Sequence, residues 1–306
     1  MRILIVGGAG GMGEWFARFF TENNGDVRIL DISDKTEAVA KTLGVPFSTV
    51  NVLTIDAGTL SDELADADIV LVAVPIDITE RVIERVGPTL REGSLLMDVT
   101  SVKKAPVAMM EQCTSEGVEI LGTHPLFGPS TKSIRGMPVI FVPVRKGPLY
   151  EKVYELFERN GAKLELLTAE EHDEIMAVIQ GLPHFVLFSF GITLKNLDFD
   201  VDRARRYMGP MYEVVLDFVG RLLHQDPYLY AQIQTNFEMQ KVHEAFLASA
   251  TKLSELVAAG DVDAYIRELQ MAKQHFGDTE SAMRDSDRII EEKINLPFQK
   301  KALPKK

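Results

Sequence analysis

The segment RILIVGGAGGMGEWFARFF, residues 2–20, restricts the fold more than any other part of the chain. An apolar run of strand character leads directly into clustered glycines, and an amphipathic, aromatic helix pattern leads directly out of them. Gly8, Gly10 and Gly13 match G-x-G-x-x-G in one register only. The first glycine is expected to permit the tight turn, the second to let backbone approach a pyrophosphate, and the third to let the helix pack against the strand. Gly11 and Met12 fill the remaining positions, at a helix start whose unpaired N–H groups attract phosphate.

The next strand pattern, DVRILD, ends at Asp31, 23 residues after Gly8. A carboxylate there can accept a hydrogen bond from a ribose 2′-hydroxyl. The residues that follow, Ile32, Ser33 and Asp34, supply no cation for a 2′-phosphate. NAD is therefore expected rather than NADP. The segment LVAVPIDIT ends a further strand pattern, and ligands of open α/β sheets lie beyond the carboxyl ends of the strands. Val74 and Pro75 are accordingly expected to border the nicotinamide or its ribose.

DIVLVAV, GSLLMDV, VEILGTH and MPVIFVPV continue the first half as Val-, Ile- and Leu-rich runs separated by helical patterns. Such runs belong to a parallel sheet covered on both faces. The expectation is an α/β, Rossmann-type doubly wound parallel sheet over residues 1–168, closed by the helix and strand of YEKVYELFERNGAKLELLT. From Ala169 the strand signal stops and apolar residues recur at three- and four-residue spacing, which predicts an all-α domain over 169–292. Asp226 and Pro227 have the chemistry of a helix cap and first helical residue; Gly260, followed by Asp261 or Asp263, marks a break between two helices. Residues 293–306, KINLPFQKKALPKK, have two prolines, five lysines and no periodicity, and are expected as a loose basic tail.

The balance of 33 Lys and Arg against 45 Asp and Glu, a formal charge of −12, leaves no broad footprint for nucleic acid or an anionic membrane. An anionic ligand must find a local concentration of positive charge. Cys113 is the only cysteine, which excludes an internal disulfide and a thiolate metal cluster; no metal is expected. The longest apolar stretch, FVLFSFGITL, is well short of the roughly 20 residues of a membrane span, and the opening apolar run is too short for a signal peptide. A cytoplasmic protein is expected.

LMDVTSVKKAP (96–106) and VEILGTHPLFGPS (118–130) are both strand-then-loop segments opening on the cofactor side of such a sheet. Ser101 and His124 can converge there, although a core histidine satisfied by backbone fits the second segment equally well. Further segments decide between these readings. DVTSVK, HPLFGP, EEHDEIMAVIQGLPHFVLFSFG (170–191) and GRLLHQDPYLYAQI (220–233), in that order, resemble the prephenate/arogenate dehydrogenase family of tyrosine biosynthesis. The likeness runs from the glycine loop to HFGDTE at 275–280.

The resemblance implies a role for each matching residue. His124 takes the proton of the substrate's ring hydroxyl while hydride goes to the nicotinamide, and Ser101 lies beside it and helps hold that hydroxyl. Arg221 binds a substrate carboxylate; His184 belongs to the substrate pocket and is associated with preference for prephenate over arogenate. Lys103 is carried over as structural, and a homodimer through the helical domain is implied. A neutral imidazole suits the proton transfer, and an arginine suits a dianionic substrate in an acidic protein. Gln180 lies four residues before His184 on the same helix face, and Pro183 is expected to kink the helix just before it. His172 with Asp173 reads as an element-start or interdomain pair rather than a catalytic one.

The chain departs from the family in some respects. Its first strand begins at residue 2 and its helices run toward the basic tail, so neither the chorismate mutase fused to some relatives nor a βαββαβ regulatory module is expected in this sequence. Asp217 stands where some relatives carry a lysine, so a second positive contact is not assumed. The expected function is NAD-dependent oxidative decarboxylation of prephenate to 4-hydroxyphenylpyruvate. The rivals are arogenate dehydrogenase, a dehydrogenase of the β-hydroxyacid type, and a non-catalytic NAD-binding regulator.

Overall fold

A computed structural model of the chain describes residues 1–236 and 238–302. It divides into two compact units, Met1–Ala177 with a short segment from Ala231, and Val178–Tyr230 with the chain from Glu238. The first unit runs β1 (Arg2–Val6), α1 (Gly11–Glu22), β2 (Asp26–Asp31), α2 (Thr36–Leu43), β3 (Phe47–Thr49), α3 (Ala57–Leu64), β4 (Ile69–Val72) and α4 (Ile76–Val86). It continues with β5 (Leu95–Asp98), α5 (Lys104–Cys113), β6 (Glu119–Pro125), β7 (Pro138–Arg145), α6 (Pro148–Arg159), β8 (Lys163–Leu166) and α7 (Ala169–Met176).

The eight strands form one sheet in the order β3-β2-β1-β4-β5-β6-β7-β8. Alternate residues of one strand serve the two faces: Ile3 and Ile5 join Phe16, Phe20, Ile29 and Leu71 in one apolar cluster, whereas Leu4 and Val6 join Leu30, Val70, Leu96 and Ile83 in the other. This double coverage is why the strands read as continuous apolar runs rather than alternating ones. Each fully buried Leu, Ile or Phe contributes about 1.5–3 kcal/mol. The expected parallel sheet needs one correction, because β7 runs antiparallel to β6. No helix lies between these two strands, and without a crossover the chain can only fold straight back. The helix α6 then supplies a crossover, and β8 is parallel to β7. The three-residue edge strand β3 had no apolar pattern to announce it.

In space the first compact unit extends past the expected boundary at residue 168 to Ala177, because α7 packs with the sheet. Thr168 and Glu171 cap this helix reciprocally, and Ala169, His172, Asp173 and Met176 are buried. The helical run then passes through a π-helical segment, Ala177–Gly181, into α8 (Leu182–Asn196). The expected irregularity before His184 takes this form: Pro183 has no N–H to donate and its ring crowds the carbonyl four residues back, so the ladder widens ahead of it. The whole run, Ala169–Asn196, is 28 residues and apolar enough by length and composition to cross a bilayer, longer than the ten-residue apolar stretch suggested. Gln180 and His184 interrupt its middle with polar side chains.

The second unit continues with α9 (Val201–Ala204), α10 (Pro210–His224), α11 (Pro227–Asn236), α12 (Met239–Ala259), α13 (Val262–Phe276) and α14 (Thr279–Ala302). Asp226 accepts from the Tyr228 N–H at 2.9 Å at the start of α11. Gly260 ends α12 in the left-handed region at φ 67°, and Asp261 caps α13 by accepting from the Ala264 N–H. The loose tail expected from residue 293 is corrected as far as Ala302, since α14 continues to that point. Lys293 pairs with Asp217 on α10, which holds the helix where lack of periodicity predicted none. Residues 303–306 of the expected tail lie outside the described residues.

Candidate active site

The glycine turn follows β1 and is shaped by contacts too close for any side chain. Gly7 has φ 86°, a conformation that L side chains rarely adopt, and a Cβ there would lie 2.4 Å from the Ala73 carbonyl oxygen. The tight turn is thus made at Gly7 and not at Gly8 as the motif register suggested. Gly8 instead lets β2 approach, since its Cβ would meet the Ile29 side chain at 2.5 Å. A Cβ on Gly13 would lie 2.0 Å from the Gly7 carbonyl oxygen, so this glycine allows the close helix-to-strand packing expected of it. Gly10 is the N-cap of α1, and Gly11 and Met12 begin the helix.

Asp31 ends β2, and its carboxylate reaches back to the glycine loop, where Oδ2 accepts from the Ala9 N–H at 2.9 Å and Oδ1 from the Ser33 N–H at 3.0 Å. Each carboxylate oxygen retains a further lone pair for a ribose hydroxyl. Val74 packs by the same turn, its Cγ1 3.0 Å from where a Gly7 Cβ would be, and Pro75 is the N-cap of α4. The loop after β6 completes this edge: Pro129 lies 3.0 Å from a Cβ built on Gly11, and Trp15 Nε1 donates to the Thr131 carbonyl at 2.7 Å. These close backbone approaches and the open start of α1 form a cradle suited to a dinucleotide.

His124 lies two residues beyond Gly122, the last residue of β6 paired with β5, and is 3% exposed. Its Nδ1 is 2.8 Å from His172 Nε2, and His172 Nδ1 is 2.7 Å from Asp173 Oδ1. The same carboxylate accepts from the backbone N–H groups of Lys103, at 2.8 Å, and Lys104, at 3.0 Å. Asp173 thereby caps the start of α5 from another helix. His172 and Asp173 are therefore corrected from an element-start pair to direct neighbours of His124. Ser101 sits half-buried in the loop between β5 and α5, and the hydrogen-bond partner of His124 is His172 rather than Ser101. Lys103 is fully buried; its Nζ pairs with Asp98 and donates to Thr100 Oγ1 at 3.2 Å, the structural role expected of it.

Burial, with the neighbouring His172 and Lys103 adding to it, pushes the His124 imidazole well below its ordinary pKa of 6.5. Burial also lowers that of His172, against the opposing pull of Asp173. Burial disfavours the charged form of Asp173, but the hydrogen bonds from His172 and the two backbone N–H groups outweigh it and hold the carboxyl below its usual range. At neutral pH the site therefore holds a neutral His124 two rings away from a buried carboxylate.

In the second unit, His184 lies on α8 with the Tyr230 ring edge-on at 4.7 Å and 84°, and Tyr230 packs in turn on Phe188 at 5.4 Å. The Tyr230 hydroxyl donates to Gln225 Oε1 at 2.8 Å. Burial raises the Tyr230 phenol, and the positive charge of Arg221, exposed in the last turn of α10, pulls it back. Tyr230 thus packs against His184 and lies within the electrostatic reach of Arg221. Gln180 Oε1 and His184 Nδ1 are both buried with no hydrogen-bond partner among the described residues, a costly state that a bound polar ligand would relieve. Tyr230 was missed because nothing in PYLY separates it from the exposed Tyr228. Among the described residues no cluster of His, Cys, Asp or Glu is placed to hold a metal ion.

Comparison with known proteins gives the family. Residues 16–166 match the family profile for the nucleotide-binding domain of prephenate dehydrogenase, and residues 168–271 match that for its dimerization domain. The chain belongs to the prephenate/arogenate dehydrogenase family. It is 41% identical over 283 residues to a probable arogenate/prephenate dehydrogenase of Methanocaldococcus jannaschii, covering 90% of this chain but 61% of that protein. It is 33% identical over 280 residues to a T-protein of Enterobacter agglomerans, covering 90% of this chain and 68% of the relative. Among solved structures, prephenate dehydrogenase from Aquifex aeolicus in complex with hydroxyphenyl propionate and NAD+ shares the fold at TM-score 0.69 and 22% identity, covering 90% of this chain and 99% of that one. Synechocystis arogenate dehydrogenase does so at TM-score 0.66 and 21% identity, covering 92% and 100%. The chain is thus an oxidoreductase-family protein with a nucleotide-binding domain and a helical domain of the dimerization type.

Proposed function

We propose that the protein is a cytoplasmic, homodimeric, NAD-dependent prephenate dehydrogenase, oxidatively decarboxylating prephenate to 4-hydroxyphenylpyruvate. The observation that carries this reading is the buried, neutral His124 near the carboxyl end of β6, in the same sheet whose first strand leads into the glycine turn capped by the Asp31 carboxylate. Bound NAD supplies the hydride acceptor. The N–H groups at the start of α1, from Gly11 to Gly13, would hold its pyrophosphate and Asp31 a ribose hydroxyl, and that carboxylate would repel a 2′-phosphate.

His124 accepts the hydroxyl proton from ring carbon 4 of the substrate as the C–H electron pair departs as hydride, leaving a carbonyl. Loss of carbon dioxide from carbon 1 pushes electrons toward that carbonyl, and aromatisation makes the step irreversible. Ser101 helps hold the hydroxyl. Arg221 clamps a substrate carboxylate with its planar guanidinium. Gln180 and His184 offer their unpartnered polar atoms to the substrate side chain, and a neutral His184 suits the pyruvyl group of prephenate better than the ammonium of arogenate.

The test is NADH formation by the purified protein with NAD or NADP and either prephenate or arogenate. Turnover of prephenate with NAD supports the reading, turnover of arogenate alone overturns the role of His184, and turnover of neither returns the chain to a nucleotide-binding regulator. Sedimentation gives the oligomeric state, and a monomer at working concentration would overturn the dimer.

A further inference from the structure

We propose that Asp173 and His172 are positioning residues that fix the tautomer of His124, leaving its Nε2 lone pair as the base and balancing the positive charge that forms there. This rests on the reading of His124 as the proton acceptor. Asp173 accepts three hydrogen bonds, from the Lys103 and Lys104 N–H groups and from His172 Nδ1. Backbone amides can only donate, so the carboxyl group meeting two of them is an acceptor, and His172 must carry its proton on Nδ1. A neutral His172 then presents a bare Nε2 to His124 Nδ1 at 2.8 Å, a separation that requires one proton between the two nitrogens. That proton belongs to His124 Nδ1. The remaining nitrogen of His124, Nε2, is left with its lone pair.

The opposite arrangement would need an imidazolium at His172. His172 is buried, lies near Lys103, and has its basicity lowered despite Asp173 and Asp98. It would also place the proton of neutral His124 on Nε2, where no base could act. The groups facing the pair are Lys103, Asp98 and Asp173, and of these only Asp173 accepts a hydrogen bond from the rings. In the reaction the substrate O–H bond breaks and its proton bonds to His124 Nε2. The C–H bond breaks with its electron pair passing to the nicotinamide, and the C–O bond becomes a double bond. His124 is then a cation whose Nδ1–H donates to His172, whose own Nδ1–H donates to the Asp173 carboxylate. The chain of hydrogen bonds places a buried negative charge opposite the new positive one. The sequence signal was present in the adjacent His172 and Asp173, but the 48 residues separating His172 from His124 concealed the contact.

Three measurements test this. Asp173→Asn is expected to lower kcat about tenfold to a hundredfold with substrate KM unchanged, and to move the acid limb of kcat/KM to lower pH, because the His124 cation loses its balancing carboxylate. His172→Leu should lose kcat similarly, and His172→Gln, whose amide oxygen can still accept from His124 Nδ1, should recover much of it. Variants that fold, keep kcat within about threefold and leave the pH profile in place would reduce the pair to a brace between α7 and α5. Should the variants fail to fold, the wild-type protein labelled with ¹⁵N-histidine still decides the matter by NMR. Protonated Nδ1 and bare Nε2 at His124 are expected, and the Nε2–H tautomer overturns the proposal. The tautomer is read without substrate, so it separates failure of this proposal from failure of the assigned reaction.

Discussion

His124 shows how much chemistry one residue takes from its surroundings. An imidazole in water is divided between protonation states near neutrality, whereas here burial beside His172 and Lys103 keeps it neutral. His124→Asn is therefore expected to retain NAD binding, measured by fluorescence titration, and to lose about 10²- to 10⁴-fold in kcat, the usual worth of a positioned base. Near-normal turnover would remove His124 from that role. Arg221 is exposed on its helix, and its proposed role is to bind the ligand rather than to hold the fold. Arg221→Ala should leave the melting temperature in place while raising KM at least about tenfold, equivalent to roughly 1.4 kcal/mol of binding. An unchanged KM would place it outside the substrate site.

At the scale of elements, the β1–α1 turn has the least freedom. A methyl group on Gly13 would lie 2.0 Å from a backbone oxygen that cannot swing away. Gly13→Ala should cost about 1–3 kcal/mol in denaturant unfolding and weaken NAD binding together, because relieving the overlap moves the helix start that forms the cradle. Loss of neither would mean that α1 can shift without consequence. This turn was legible in the chain because its demand is local, a matter of which residues lack a Cβ. Even so, the position of the tight turn was displaced by one residue, to Gly7, since five close glycines leave the motif to be read in one register and the backbone to bend in another. The helix α14 was not legible past residue 293, because the contact that holds it, Lys293 with Asp217, joins residues 76 apart.

For the whole molecule, the buried neutral histidines imply a pH-dependent stability. His124 and His172 fold with pKa values below 6.5, so as pH falls past 6.5 the unfolded chain takes up protons before the folded one does. Their contribution is complete above 6.5 and is lost as pH falls from there toward the folded values, at about 1.4 kcal/mol per pH unit for each group. Denaturant melts across this range should show stability declining on acidification, with a shallower decline in His172→Gln; a flat profile would contradict neutral burial. What the amino-acid order determined by itself is the alternation of buried strands and helices, the nucleotide cradle, the change to an all-α second unit and the choice of His124. The first three rest on short-range patterns of apolarity, glycine and capping residues, whereas the choice of His124 rests on the resemblance of several segments to a known family. Only the tertiary structure decided that β7 reverses direction, that α7 stays with the sheet, and that His172 and Asp173 stand behind His124. These depend on groups far apart in the chain meeting in space, and no local pattern records which distant partner a buried polar side chain finds.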